Sequence, residues 1–127
     1  IPPAWSVGRM LAGPEAVVLP AVLAGLAFMA WDLFLDPQMV SWDFWRWRRG
    51  GAYLGIPILN FAGWFAAGTA VSLLFYNPGI PAAALFLVYA VTWILETIGQ
   101  LVFWRLIFSG IVGSLAMGGL ILLTLMQ

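Results

Sequence analysis

The sequence predicts an all-α protein: a polytopic transmembrane helical bundle with about four spans. Of its 127 residues, 64% are hydrophobic and only 8% are charged, and the mean hydropathy is +1.02. Soluble globular proteins carry about 25% charged residues, so this chain could not cover a water-facing surface. The apolar runs lack the period-two alternation of barrel strands, which favours helices over a membrane barrel.

Four apolar segments of about 20 residues, the length that crosses a bilayer, are the predicted spans. They cover about residues 14–35, 56–76, 81–103 and 106–126, within a single transmembrane domain of residues 1–127. The first follows a Gly-Pro breaker at 13–14 and closes at the Asp-Pro pair 36–37. The second ends at the Asn-Pro-Gly turn 77–79, and Pro81 starts the third in a tolerated first-turn position. A tight connection at 105–110 separates the last two.

The arginines predict the orientation of the bundle. The loop of residues 37–55 carries three of the five, Arg105 lies between the last two spans, and Arg9 is the exception. An even number of crossings places both connections on one side, and the positive-inside rule makes that side the cytoplasm. We therefore expect a bacterial inner-membrane protein with the arginine-rich loop 37–55 in the cytoplasm.

Missing residue types exclude several functions. The chain has no cysteine, which excludes disulfides and thiol nucleophiles, and no histidine, the commonest metal ligand and general base. Haem, zinc and histidine-ligated chlorophyll are therefore not expected. The net charge of zero gives no reason to expect a nucleic-acid partner. Acid–base chemistry must fall to a carboxyl group or a tyrosine.

Two aspartates lie one helical turn apart near the end of the first span. Carboxyls on one face can differ in protonation, so that one acts as an acid while the other stays ionised. Alternatively, both are solvated where the helix leaves the membrane, with Asp36 and Pro37 starting the loop. The deeper position of Asp32 favours the first hypothesis, and the position of Asp36 beside Pro37 favours the second.

Two more polar residues lie inside predicted spans, where such groups are costly and usually have a purpose. Glu96 is about fifteen residues into the third span. It is either a catalytic or ligand-positioning acid, or a buried carboxyl satisfied by a hydroxyl or by Arg105. Asn60, in the second span, must face the bundle, where it bonds either another helix or a substrate.

The tryptophans after the first span, among them Trp42 and Trp45, have two explanations. They are typical interface anchors, like the arginines beside them. Their indole faces also suit polyenes and cations.

Small residues at spacing four predict seams of close helix packing. These seams are Ala21 with Gly25, Gly63 with Ala67, and Gly110 with Ser114 and Gly118.

Three motifs follow one another between residues 31 and 64. They are the DLxxDP element in WDLFLDPQMV, a W-x-W loop, and the block GAYLGIPILNFAGWF. In this order they resemble the integral-membrane carotenoid biosynthesis family. Its characterised members are carotenoid 1,2-hydratases, including bisanhydrobacterioruberin hydratase. The remaining chain is similar only as hydrophobic helices with a glutamate on a span, and it resembles the later part of a longer protein.

The resemblance implies an enzyme that adds water to the terminal double bond of an acyclic carotenoid. It needs no metal or organic cofactor, because an acid and a base suffice. Asp32 and Asp36 become the acid–base residues, with Glu96 as a further acid. The substrate-binding candidates are Trp42, Trp45, Tyr53, Asn60 and Trp64.

A second hypothesis keeps the family's fold without its catalysis. The chain would be a transmembrane subunit of a photosynthetic reaction-centre or light-harvesting pigment–protein complex, binding carotenoid as a pigment or bridging its neighbours. The partners would be the lipid bilayer, carotenoid and other membrane subunits. A small transporter is not favoured, because buried polar groups are few and no internal repeat is visible.

Overall fold

The computed structural model describes residues 2–12, 17–75 and 82–126, with only the backbone described for residues 2–5 and 12. Over these residues the chain is helical and has no strand, apart from one isolated bridge between Tyr53 and Ile56. The α-helices are α1 (Pro2–Ala12), α2 (Val18–Ser41), α3 (Ile58–Leu74), α4 (Ala82–Ile98) and α5 (Ile107–Leu125). A π-helical turn, Gly99–Phe103, extends α4. The predicted all-α class is confirmed.

Each predicted span corresponds to one helix. Three helical segments are long and apolar enough to cross a membrane: α2, α4 with its π-helical turn, and α5. The 17 residues of α3 are equally apolar but form a shorter helix. These helices indicate an integral membrane protein. The predicted turns at 13–14 and 77–79, and the start at Pro81, lie outside the described residues.

The first span does not end where the sequence predicted. Helix α2 continues to Ser41 with Pro37 inside it, so the arginine-rich loop begins at Trp42 rather than at residue 37. Asp36 is consequently buried within a helix, not solvated at the start of a loop. The other connection is shorter than predicted, because the π-helical turn ends at Phe103 and α5 begins at Ile107.

Side chains from two other elements allow α2 to pass through its proline. Pro37 has no N–H for the carbonyl four residues earlier, that of Leu33. The hydroxyl of Tyr53 donates to this carbonyl oxygen at 2.9 Å. The next carbonyl, that of Phe34, accepts a 2.7 Å hydrogen bond from Nε2 of Gln100 in the π-helical turn. The two carbonyls near the proline therefore link α2 to the segment before α3, through Tyr53, and to the π-helical turn, through Gln100.

The main core lies where α1, α2, α4 and α5 meet. Phe34 and Met117 are fully buried there. The ring of Phe34 packs on Gly113 of α5, where a Cβ atom would lie 2.7 Å from the ring. Tyr89 of α4 donates from its hydroxyl to the backbone oxygen of Ala27 at 2.8 Å. Apolar packing and one buried hydrogen bond thus hold α4 against α2.

Helix α1 was not predicted from the sequence. It packs mainly on α2 and α4, with a smaller contact on α5, and Ser6 and Val7 are fully buried. Gly8 allows a close approach to α2, because a Cβ atom there would lie 2.0 Å from the carbonyl oxygen of Pro20. Eleven residues with an arginine do not meet the length and apolarity that identify a span.

Helix α3 packs on α2 through small residues. A Cβ atom on Gly25 would lie 2.1 Å from Oγ1 of Thr69, and one on Gly68 would lie 3.2 Å from Cα of Gly25. Gly118 of α5 likewise leaves room for the ring of Trp93. Gly25 and Gly118, one residue from each of the seams predicted on the first and fourth spans, therefore lie at close contacts.

The seam predicted on α3 is wrong. Gly63 and Ala67 are exposed, and a Cβ atom on Gly63 would meet nothing within 4 Å. The buried face of α3 is formed instead by Phe61, Gly68 and Ser72. Small residues occur on every face of this helix, so spacing alone could not identify the face that packs.

The compensation at Pro37 predicts a coupled effect on stability. Replacing Tyr53 with phenylalanine leaves the Leu33 carbonyl without a donor, which lowers the free energy of unfolding by about 1–3 kcal/mol. In a Pro37→Ala background the restored N–H can bond that carbonyl, so the same replacement costs less. Unfolding in detergent micelles measures both losses.

Tyr89→Phe is the matched control, because it removes a tyrosine hydroxyl bonded to a carbonyl elsewhere on α2. Its cost should not depend on residue 37. Equal costs of Tyr53→Phe in the two backgrounds would show that the hydroxyl does not compensate for the proline.

Candidate functional site

Two buried aspartates, Asp32 and Asp36, and the half-buried Asn60 form a polar cluster between α2 and α3. Nδ2 of Asn60 donates to Oδ2 of Asp32 at 3.0 Å and also to Oδ2 of Asp36. An amide nitrogen carries two hydrogens, so one group can serve both acceptors. The two aspartates are only 4% and 3% exposed. The structure thus joins three of the residues that the sequence proposed separately.

The segment before α3 carries Asn60 to this position. Gly55 has a φ of +83°, a conformation that glycine adopts without strain, and Ile56 N–H donates to the carbonyl of Tyr53 at 2.8 Å. Gly51 passes so close that a Cβ atom would lie 2.0 Å from the oxygen of Ile56. The glycines of the GAYLGIP block therefore form a tight turn that fixes the start of α3.

Tyr53 supports the cluster from one side. Its ring packs against Phe61 and Phe108, with centroids 5.3 and 5.8 Å away, while its hydroxyl is held by Leu33. Burial, and then the nearby carboxyl of Asp32, raise the pKa of Tyr53 to about 12. The hydroxyl therefore stays protonated and bonded to the helix. Tyr53 borders neither of the two cavities described below. Its role is therefore to hold the neighbouring elements in position rather than to contact a ligand.

A cavity of about 270 Å³, here called the open cavity, reaches the cluster beside the arginine-rich loop. It is lined by Asp36, Trp45, Arg46, Trp47, Asn60 and Trp64. The indole N–H of Trp45 faces the carboxyl of Asp36. Nε of Arg46 is 2.6 Å from Oδ1 of Asp43, at the exposed end of the loop. The carboxyl of Asp36 is thus next to polar N–H groups, and the loop beside the cavity carries the charged pair Arg46 and Asp43.

A smaller space of about 20 Å³, here called the aromatic cavity, touches Asp32. Its other walls are Phe28, Trp31, Leu35 and Trp64. The ring of Phe28 packs edge-on against Trp31 at 5.9 Å and against Trp64 at 5.4 Å. Trp64 borders both cavities. Because Asp36 lines the open cavity and Asp32 lines the aromatic cavity, the two carboxyls of the cluster have different surroundings.

Glu96 is not part of this cluster. It lies on α4 and lines neither cavity. The indole N–H of Trp31 faces its carboxyl, yet Nε1 of Trp31 and Oε2 of Glu96 both lack a hydrogen-bond partner. The expected satisfaction of the carboxyl by a hydroxyl or by Arg105 is therefore not found at Oε2.

The two predicted tryptophans have different positions. Trp45 lines the open cavity, whereas Trp42 packs edge-on against Trp104 at 5.2 Å and lines neither cavity. Because Trp104 lies beside Arg105, this contact joins the two arginine-bearing connections at one end of the bundle. That arrangement agrees with the even number of crossings between them.

Several residues at or near the site were missed from the sequence. Gln100 is fully buried and connects two elements: it donates to Phe34 and accepts a 2.6 Å hydrogen bond from Oγ of Ser109. Its amide near the end of an apolar span was the available signal. Phe28 carried no such signal, since aromatic residues are common in spans.

A family model described as "Carotenoid biosynthesis protein" matches residues 6–125, nearly the whole chain. The chain belongs to this family. No curated protein and no solved structure matches it. In this carotenoid biosynthesis protein, the matched region includes α2 to α5 and the whole Asp32–Asn60–Asp36 cluster.

Tyr53 predicts how stability depends on alkaline pH. Its pKa is about 12 in the folded protein and 10.0 when unperturbed, so folding favours the neutral phenol. The stabilisation is fully present below pH 10 and is lost as the pH rises towards 12. The stability advantage of the unsubstituted protein over Tyr53→Phe should shrink across this range, as measured by unfolding at each pH. An advantage that does not change between pH 9 and 12 would contradict the assignment.

Proposed function

We propose that this protein hydrates the terminal double bond of an acyclic carotenoid at the Asp32–Asn60–Asp36 cluster. Family membership supports a role in carotenoid biosynthesis. The observation that carries the finer proposal is the pair of buried carboxyls on one amide, between an aromatic cavity and an open one. A buried ionisable pair in a membrane protein is costly and usually functional.

Hydration of an alkene needs the groups that this cluster offers. An acid protonates the less substituted carbon of the double bond, which produces a tertiary carbocation. A base then removes a proton from the water that attacks the cation. The faces of nearby aromatic rings, here Phe28 and Trp64, stabilise positive charge in the intermediate. These steps need no metal or organic cofactor, and none is proposed.

The open cavity is of a size that suits the end of a carotenoid rather than the whole molecule. Ligand pockets usually measure about 300–1,000 Å³, and this one measures about 270 Å³. We expect the end group to enter it while the polyene chain stays in the lipid bilayer. Trp45, Asn60 and Trp64 then contact the end group as substrate-binding residues.

The end of the bundle that holds the arginine-bearing connections is assigned to the cytoplasm of a bacterial inner membrane. The loop that begins at Trp42 carries three arginines, and Arg105 lies at the same end. The positive-inside rule supports this orientation. Water would reach Asp36 from the cytoplasm through the open cavity.

A second candidate is a non-catalytic subunit of a photosynthetic pigment–protein complex. Most of the segment Ala82–Phe103 faces outward from the bundle, and this surface would pack against other membrane subunits. Carotenoid would then be a bound pigment rather than a substrate. The experiment below separates this candidate from the enzyme.

The complete gene should be expressed in cells that make lycopene or another acyclic carotenoid. We expect a product that is heavier by one water, detected by mass spectrometry. Asp32→Asn and Asp36→Asn should each lower its yield by about 100-fold or more, the usual scale of general acid–base catalysis. Arg49→Gln is the control: it removes a charge from the same exposed loop, and its side chain lines neither cavity.

The amount of each variant in the membrane is measured in parallel. Product formation that survives both replacements would contradict the assigned cluster. Absence of product from the unsubstituted protein, together with its purification in a pigmented complex, would favour the second candidate.

A further inference from the structure

The geometry points to fixed and different roles for the two carboxyls: Asp32 donates the proton to the alkene, and Asp36 accepts the proton from water. This inference rests on the proposed function and concerns the same cluster. It follows from the different surroundings of the two side chains, since both are buried and both accept hydrogen bonds from Asn60.

Asp32 faces carbon. Around the aromatic cavity its neighbours are three aromatic rings and the side chain of Leu35. The cavity holds about 20 Å³, which is room for about one water molecule. A charged carboxylate in such surroundings costs far more than a neutral acid. Asp32 therefore carries its proton in the resting state, and it holds that proton next to an apolar surface.

Asp36 faces N–H groups and water. Besides the amide of Asn60, the indole N–H of Trp45 is directed at its carboxyl, and Arg46 lines the same open cavity. The N–H groups of Asn60 and Trp45 favour the carboxylate. Asp36 lines the open cavity of about 270 Å³, where water has room to stand beside its carboxyl, and Asp32 does not line it. Asp36 is therefore the base.

Trp64 lies between the two functions. It borders both cavities, and its ring packs against Phe28 on the Asp32 side. A cation that forms beside Asp32 thus lies next to the indole of Trp64, and the open cavity lies on the other side of that ring. Asn60 fixes the spacing of the two carboxyls. The end group must displace the ring of Trp64 to reach Asp32, because the aromatic cavity is too small to hold it as it stands.

The step balances without another reactant. The π electrons of the double bond take the proton of Asp32, and the less substituted carbon gains the new C–H bond. Water forms the C–O bond at the tertiary cation, and its proton passes to the carboxylate of Asp36. Asp32 is left ionised and Asp36 protonated. A proton returns from Asp36 to Asp32 through water when the product leaves, and the net change is the addition of one water.

Deuterium oxide distinguishes the two carboxyls. Membranes that contain the complete protein are incubated with lycopene in deuterium oxide, and both product and recovered substrate are analysed by mass. The unsubstituted protein should give hydrated product with one carbon-bound deuterium per water added. Asp36→Asn should lower hydration by about 100-fold, while the recovered lycopene gains deuterium, because the cation still forms and returns a proton to Asp32. Asp32→Asn should give neither hydration nor deuterium.

The control is Arg49→Gln, an exposed position in the same loop that lines neither cavity, and it should match the unsubstituted protein in both measurements. If Asp32→Asn does not accumulate in the membrane, Asp32→Glu replaces it; this variant keeps the carboxyl and should retain exchange. Exchange in Asp32→Asn but not in Asp36→Asn would overturn the assignment, and so would loss of exchange in both. In either case hydration by the unsubstituted protein would leave the proposed function intact, whereas its absence would remove that function itself.

Discussion

The arrangement of this protein depends on a proline inside a membrane helix. Pro37 removes one N–H from α2, and no water in a bilayer can replace it for the carbonyl of Leu33. Tyr53 supplies the missing donor, and Gln100 bonds the adjacent carbonyl. One backbone defect thereby fixes two separate connections, the turn before α3 and the π-helical turn before α5. The approach of Asn60 to the aspartates follows from the first of these.

A contribution to protein stability does not explain the Asp32–Asn60–Asp36 cluster. Two buried carboxyls on adjacent turns repel each other when both are charged, and even a well-made buried ion pair often gains little over apolar packing. Asn60 satisfies one oxygen of each aspartate but brings no charge. The helices would pack with apolar residues here at lower cost. The proposed acid–base chemistry gives these polar residues a role that folding alone does not.

The two carboxyls of the cluster differ chemically because their surroundings differ. On one side, aromatic rings and Leu35 exclude water from Asp32; on the other, the arginine-rich loop admits it to Asp36. The difference arises from the depth of each residue along α2 and from Trp64, which separates the two spaces. A pair of identical side chains can thus act as donor and acceptor without any metal.

Composition and motif order were sufficient to predict the helical class and the four apolar helices, and they selected Asp32, Asp36 and Asn60, which the structure joins by hydrogen bonds. The end of the first span was wrong because an Asp-Pro pair normally stops a helix, and the compensating donor lies sixteen residues further along, in Tyr53. Such long-range contacts have no local signature. The same limit explains why Glu96 was grouped with the aspartates, although its side chain lines neither cavity.

The central claim is that the two carboxyls of the cluster differ in protonation while sharing one amide. Infrared spectroscopy of the purified protein in lipid, with carboxyl bands assigned by isotope labelling of aspartate, measures this directly. The account predicts a protonated-carboxyl band that disappears in Asp32→Asn and persists in Asp36→Asn. A band that disappears in Asp36→Asn instead, or the absence of any protonated aspartate, would contradict it.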